Sequence, residues 1–436
     1  MRLAVVVQRY GADINAGSEL HARYIAERLA AHAEVTVLTT CARDYVTWRN
    51  EYAAGREDIN GIPVERFPVA RQRDLFDFAR RSRLVFDEPH SLADELGWLD
   101  SEGPVSPGLI ARLRRARAAF DFVVLFTIRY HSAYHGARAV ASRAVLVPTS
   151  ERDPSLGLHL FQPIFRGVRA IMYNSFEERA AINALSSNEH VPGVVVGVGS
   201  HIPRDVRAER ARHTFGLRDP FLLYVGRIDA NKGCPELFEY FIDYLNSSGR
   251  VLDLVLIGTP VIEIPTHPRI RHLGSVTDAD KFDAIAASEA LVMPSYYESL
   301  SMVALEAWAL GRPVLANGRC EVLAGQCLRS NAGLYYEGAR EFAAMLDRLL
   351  DDRALSSALG ANGHDYYARH YSWPVIERKY LDMFQHLTTE APTRRMEPLP
   401  GWLARRAADL PPSRAALAAV PAGPVVSRFA DRGPMS

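Results

Sequence analysis

Two successive series of short β-rich runs, most of them followed by a helix-length pattern, leave this chain few folds. The first series predicts strands at Leu3 to Val7, Val35 to Thr39, Pro63 to Phe67, Phe122 to Phe126, Ala144 to Val147, Ala170 to Tyr173 and Val194 to Val196, with a helix at about Ser18 to Ala31 after the first. Strands alternating with helices are the grammar of βαβ units, and they predict one parallel sheet. A Gly-rich, Pro-bounded stretch, Gly197 to Pro203, then interrupts the pattern. The alternation resumes at Phe221 to Val225 and runs through Leu254 to Ile257, Ile270 to Leu273, Ala290 to Met293 and Pro313 to Ala316. The fold class expected is α/β, with two doubly wound, Rossmann-like domains facing a cleft: residues 1–198 and 199–372. The length, 436 residues, suits two such domains. From about Ala391 the chain turns rich in Pro, Arg and Ala, and a loosely ordered tail is expected over 391–436.

Composition narrows the function classes. Lys plus Arg and Asp plus Glu both number 51, so the formal net charge is zero. Nonspecific phosphate binding needs an excess of basic residues, so nucleic acid is not an expected partner. The four cysteines (Cys41, Cys234, Cys320, Cys327) are scattered and form no CxxC pair, which argues against a disulfide framework or a zinc cluster and fits a reducing cytoplasm. The apolar start is only a strand's length, with no cleavage-type site, and no run reaches the length of a membrane span. Basic clusters at Arg71 to Arg83 and Arg112 to Arg117 are read first as solvated helix faces, with peripheral contact at the inner membrane face as the alternative.

The most informative segment is Pro294-Ser-Tyr-Tyr-Glu-Ser-Leu-Ser-Met-Val-Ala-Leu-Glu-Ala-Trp-Ala-Leu-Gly-Arg-Pro-Val. It reads as strand end, loop, helix and stop, with Ser299 or Ser301 as the cap and Gly311 and Pro313 as terminators. Glu298 then lies in the loop at the carboxyl end of a strand, where ligands of open α/β sheets bind. From Met302 to Leu310 every residue except Glu306 is apolar, so the helix is expected to be buried and Glu306 to need partners. A vicinal diol such as a ribose would satisfy it; a structural pairing with an Arg is the alternative. Eight residues of helix rise roughly 12 Å, so Glu298 and Glu306 would touch different parts of one elongated ligand rather than share a proton. Backbone N–H groups at this helix start suit a phosphate or a sugar hydroxyl.

A second feature, Tyr224-Val-Gly-Arg-Ile-Asp-Ala-Asn-Lys-Gly, follows the first strand of the second series. A loop returning on itself can aim Arg227 and Lys232 at one diphosphate. It is not a Walker A loop, and no G-x-G-x-x-G occurs in the first strand-to-helix turn, although Gly17 there would let a phosphate or acceptor approach the backbone. Asp278 and Asp280 follow Thr277 at a helix start, where acidic residues meet the helix dipole, so they are read as capping residues rather than a metal-binding Asp-x-Asp. Metal-independent chemistry is expected, with no metal ligands assigned and no cofactor.

Together these features resemble the family-4 retaining glycosyltransferases of GT-B architecture, over nearly the whole chain outside the tail. The most specific part is the pair Glu298 and Glu306 in its sequence setting. The resemblance implies a nucleotide-diphosphate sugar as donor substrate and a glycan, lipid-linked or small-molecule acceptor. It further implies that Glu306 binds the donor ribose, Glu298 a donor-sugar hydroxyl, Arg227 and Lys232 the diphosphate, and Leu300 and Ser301 supply backbone N–H groups. Val276, beside Ser275, would lie near the nucleobase, and a helix from about 373 to 388 would cross back onto the first domain. Two departures stand out. Ser299-Leu300-Ser301 replaces a loop in which many relatives have glycines, and Glu151 lies where many relatives have a histidine. Glu151 and His131, or its neighbour His135, are therefore the acceptor-side candidates. The rival readings are a non-catalytic nucleotide-sugar-binding or assembly protein of the same fold, and an epimerase or hydrolase.

Overall fold

The computed structural model describes residues 1–14, 17–115 and 118–391, with isolated positions 396, 399 and 418. The tail expected at 391–436 therefore lies, apart from those few positions, outside the described residues.

The first sheet contains β1 (Arg2–Val6), β2 (Glu34–Thr40), β3 (Gly55–Ile59), β4 (Ile62–Phe67), β5 (Phe122–Phe126), β6 (Ala144–Val147), β7 (Ala170–Tyr173) and β8 (Gly193–Val195), in the order β3-β4-β2-β1-β5-β6-β7-β8. The strand β5 is buried along its whole length, as an apolar run covered on both faces should be. The expectation of a purely parallel sheet needs one correction, since β3 pairs antiparallel with β4 across the Asn60-Gly61 turn. Its sequence, Gly-Arg-Glu-Asp-Ile, is almost entirely exposed, because an edge strand outside the core carries charge instead of apolar alternation.

The second sheet contains β9 (Phe221–Val225), β10 (Asp253–Ile257), β11 (Ile270–His272), β12 (Ala290–Met293), β13 (Val314–Asn317) and β14 (Gly333–Tyr336), all parallel, in the order β11-β10-β9-β12-β13-β14. Strand order reverses between β9 and β12, and in the first sheet between β1 and β5. Loops leaving the carboxyl ends of such neighbouring strands diverge to opposite faces and leave a crevice between them.

The helix Met302–Ala309 is buried from Ala304 through Ala309, and Trp308 donates its indole N–H to the Ala332 carbonyl at 2.9 Å. It packs on the helix Arg353–His370 at a point where glycines let the backbones touch. A Cβ on Gly360 would stand 2.1 Å from the carbonyl oxygen of Gly311, and one on Gly363 would stand 2.5 Å from the Trp308 ring.

The helix Trp373–Thr389 returns to the first sheet. Phe384 stacks on Phe122 with ring centroids 5.1 Å apart, and Arg169 donates to the carbonyls of Leu387 and Glu390 at 2.7 and 2.8 Å. The chain thus passes between the sheets twice, and the two passages touch: Gly197 and Gly199 lie directly against the rings of Tyr371 and Trp373, and Lys379 Nζ donates to the Val196 carbonyl at 3.4 Å. Among the described residues no helix is long and apolar enough to cross a membrane.

Gly360→Ala is expected to destabilise the protein by about 1–3 kcal/mol, as overpacking against backbone does. Gly157→Ala, whose Cβ would meet nothing within 4 Å, should be nearly neutral. Urea unfolding midpoints of the two variants check this.

Candidate functional site

The loops leaving both sheets line a single cavity of about 530 Å³. On the second-domain side, the loop after β9 is folded back by Asp229. Its carboxylate pairs with the Arg227 guanidinium through one oxygen and accepts the Lys232 backbone N–H at 2.9 Å through the other. Gly233 completes the turn at φ 70°, with the carbonyl of Pro294 so near that a Cβ would stand 2.1 Å from its oxygen. Only glycine combines that conformation with that clearance. The loop after β9 is thereby held against the loop after β12, and Lys232 Nζ reaches Glu298 Oε1 at 2.7 Å. Burial alone would lower the Lys232 pKa, but the carboxylates of Glu298 and Glu151 hold it above its ordinary value. Arg227 behaves likewise, with burial opposed by Asp229. Both cations therefore stay charged at the cavity wall.

Leu300 also lines the cavity, while Ser301 is the N-cap of the helix Met302–Ala309, its hydroxyl accepting the Ala304 N–H at 3.2 Å. Glu306 is 3% exposed. Its Oε1 accepts from Ser200 Oγ at 2.6 Å and Lys281 Nζ at 3.0 Å, whereas Oε2 is buried without a partner. The alternative of a structural pairing with Arg is not what the structure shows; the cation is Lys281. Glu306 and Val276 do not line the cavity. Val276 sits in the loop before the helix Asp278–Ala287, partly buried against the shared core. Thr277 caps that helix, and Asp280 bonds back to it at 2.7 Å.

The first domain contributes Gly17, at the start of the helix Gly17–Leu29, and the loops after β5 and β6. Glu151 lines the cavity; burial raises its pKa to about 7, with Lys232 pulling it down and Glu298 and Asp153 pushing it up. His131 does not line the cavity, and its ring stands against that of His135.

Several residues at the site were not anticipated. The buried carboxylate of Glu178 accepts the backbone N–H of Ser150 at 2.5 Å and of Asn174 at 2.6 Å, tying the ends of β6 and β7 together. Its signal was present as Ser175-Phe-Glu-Glu178, a capping-box spacing, and Ser175 does cap that helix. Arg129 bridges Glu102 at 2.9 Å and Asp153 at 3.3 Å. His21, also in the lining, has its pKa lowered to about 3 by burial, so it presents a neutral imidazole whose Nε2 has no partner. Asn174 reaches across to Ser299 Oγ at 3.3 Å.

The Glu151 pKa carries a stability consequence. The folded state holds its proton up to about pH 7, above the ordinary value of 4.5. The contribution is therefore fully present below pH 4.5 and is lost as pH rises through about 7. Glu151→Gln should gain roughly 1–3 kcal/mol relative to the parent between pH 5 and pH 8, measured by urea unfolding at both pH values.

Residues 219–352 match the model of the Glycosyl transferases group 1 family. Similar curated proteins include the D-inositol 3-phosphate glycosyltransferase of Corynebacterium efficiens, 27% identical over 45% of this chain and 50% of that protein. The alpha-D-kanosaminyltransferase of Streptomyces kanamyceticus is 31% identical over 38% of this chain and 47% of that protein. The chain thus spans about half the length of these curated relatives; the D-inositol 3-phosphate glycosyltransferase of Corynebacterium urealyticum is matched over 98% of its length, at 24% identity and across 91% of this chain. Among solved structures, the trehalose-6-phosphate synthase OtsA superposes with a TM-score of 0.66 at 14% identity, covering 88% of this chain and 99% of that one. HepE of Anabaena, solved with UDP-glucose, does so with a TM-score of 0.61 at 17% identity, covering 88% and 100%. The fold is therefore GT-B, and the second domain's similarity in sequence is to the group 1 glycosyl transferases.

Proposed function

We propose that the protein is a retaining, metal-independent glycosyltransferase that moves a sugar from a nucleotide-diphosphate donor to a glycan, lipid-linked or small-molecule acceptor. The observation that carries this reading is the convergence of Arg227, Lys232, Glu298 and Leu300 on one cavity wall at the strand-order reversal of the second sheet. An ammonium has three donors; Glu298 takes one and fixes the Lys232 side chain, leaving the others for a phosphate oxygen. HepE solved with UDP-glucose makes uridine diphosphate sugars the first donors to test.

In this mechanism Arg227 and Lys232, with the N-terminal end of the helix Met302–Ala309, stabilise the departing nucleoside diphosphate. Glu298 holds a hydroxyl of the donor sugar, and Glu306, outside the cavity lining and 3% exposed, must be uncovered before its unpartnered Oε2 can take the ribose. Acceptor and leaving phosphate lie on the same face, and the phosphate takes the acceptor proton, so no protein base is required. Gly17, in the same cavity, lets the donor phosphate approach the backbone, and Glu151 borders the acceptor side.

Lys232→Ala should lower kcat by about 100–1000-fold, as loss of one preorganised transition-state contact does, with a smaller change in donor affinity. Equal losses of donor affinity and kcat/KM with kcat unchanged would contradict the role. In a calorimetric screen of UDP, GDP and ADP sugars with and without magnesium, one nucleotide class should bind equally in both buffers, and Glu306→Ala should weaken it about 10–100-fold through loss of hydrogen bonds to a charged group. Binding without turnover on any acceptor would favour the non-catalytic reading.

A further inference from the structure

Behind the cavity wall of the first domain, the helices Leu92–Glu102 and His131–Ala139 bring three metal-ligating side chains together. His131 and His135 stand four residues apart, so they share one face of their helix, one turn apart. Their ring centroids are 4.4 Å from each other. Asp100, in the last turn of the other helix, completes a set in which one ligand atom from each residue lies within 4.8 Å of the others. His131 is 8% exposed and its Nδ1 is buried without a hydrogen-bond partner, so the imidazole has unused ligand capacity.

The geometry points to a divalent transition-metal site formed by Asp100, His131 and His135, for which zinc is the best-fitting ion. Two imidazoles and one carboxylate are a borderline-soft donor set, suited to Zn²⁺ and poorly suited to Mg²⁺ or Ca²⁺, which take oxygen ligands. Ligand atoms about 2 Å from zinc stand roughly 3.3 Å from one another at tetrahedral angles, so torsional adjustment of the three side chains closes the set. Asp100 and His135 are only partly buried, which leaves an entry path and a fourth position for water. Arg71, whose guanidinium donates to the Asp100 carbonyl at 3.3 Å, is exposed and can turn to solvent.

The site's place in the fold defines its role. Asp100 lies two residues before Glu102, and His131 two residues after Arg129; Glu102 and Arg129 form an ion pair at 2.9 Å, and Arg129 lines the cavity. A metal there clamps the two segments that hold this ion pair, stiffening the first-domain wall. It takes no part in the transfer chemistry, which rests on the cations of the second domain.

The test uses the full chain, stripped with a chelator and desalted. Zn²⁺ is titrated in competition with a chromogenic chelator, and Co²⁺ is followed by visible absorption. One equivalent of Zn²⁺ should bind, and Co²⁺ should show the intense d–d bands of low coordination number. His135→Ala and Asp100→Asn should weaken Zn²⁺ by more than about 100-fold, beyond the loss from removing outer partners alone, whereas His213→Asn, at an exposed position, should bind as the parent does. Undiminished binding in both ligand variants overturns the site. So does the absence of stoichiometric Zn²⁺ binding or of Co²⁺ d–d bands in the parent protein, a result that depends on no variant folding.

Discussion

The contact between Lys232 and Glu298 is the pivot of the second domain's contribution. The two residues are 66 positions apart, and they meet because β9 and β12 are neighbours at the point where strand order reverses. Loops leaving such neighbours would normally diverge. Here Gly233 lets one loop rest on the backbone of the other, and Asp229 turns the first loop back on itself. The positive charge at the cavity wall is thus built from backbone clearance and one carboxylate before any ligand is considered. The pairing also keeps Lys232 protonated despite its burial. A lysine left alone in the same place would shed charge as water was excluded.

The first domain answers this with a different device. The carboxylate of Glu178 holds two backbone N–H groups, one from the loop carrying Glu151 and one from Asn174. These loops leave the ends of β6 and β7, and a single buried side chain ties them together where the strand ladder stops. Ionic contacts between the domains, Arg152 with Glu321 and Arg329 with Glu177, lie nearer the surface and are correspondingly weaker constraints. The wall is therefore rigid where it meets the cavity and adjustable at its rim.

The two sheets were legible because their central strands are continuous apolar runs, and that signal does not depend on tertiary context. The edges were harder. β3 is polar because nothing covers it, and β14 is a four-residue, half-exposed strand with no periodicity to read. Glu298, Glu306, Arg227 and Lys232 stood out as charges in apolar or glycine-bearing settings. What the sequence concealed was their company. Ser200 and Lys281 reach Glu306 from 106 and 25 residues away, and His21 is an ordinary helical histidine until two layers close over it. Val276 and His131 sit beside the cavity lining rather than in it, since position along a loop does not decide which side of the wall a side chain takes.

The two chain passages between the sheets have a mechanical meaning. A lone linker acts as a tether, leaving one body free to twist, swing and slide against the other. Two strands of chain running side by side, with Gly197 and Gly199 pressed onto Tyr371 and Trp373, behave as the paired leaves of a door fitting. Twist would shear those ring contacts, and sliding would stretch one passage while slackening its neighbour. Rotation about the line through both passages is the motion that shears these ring contacts least.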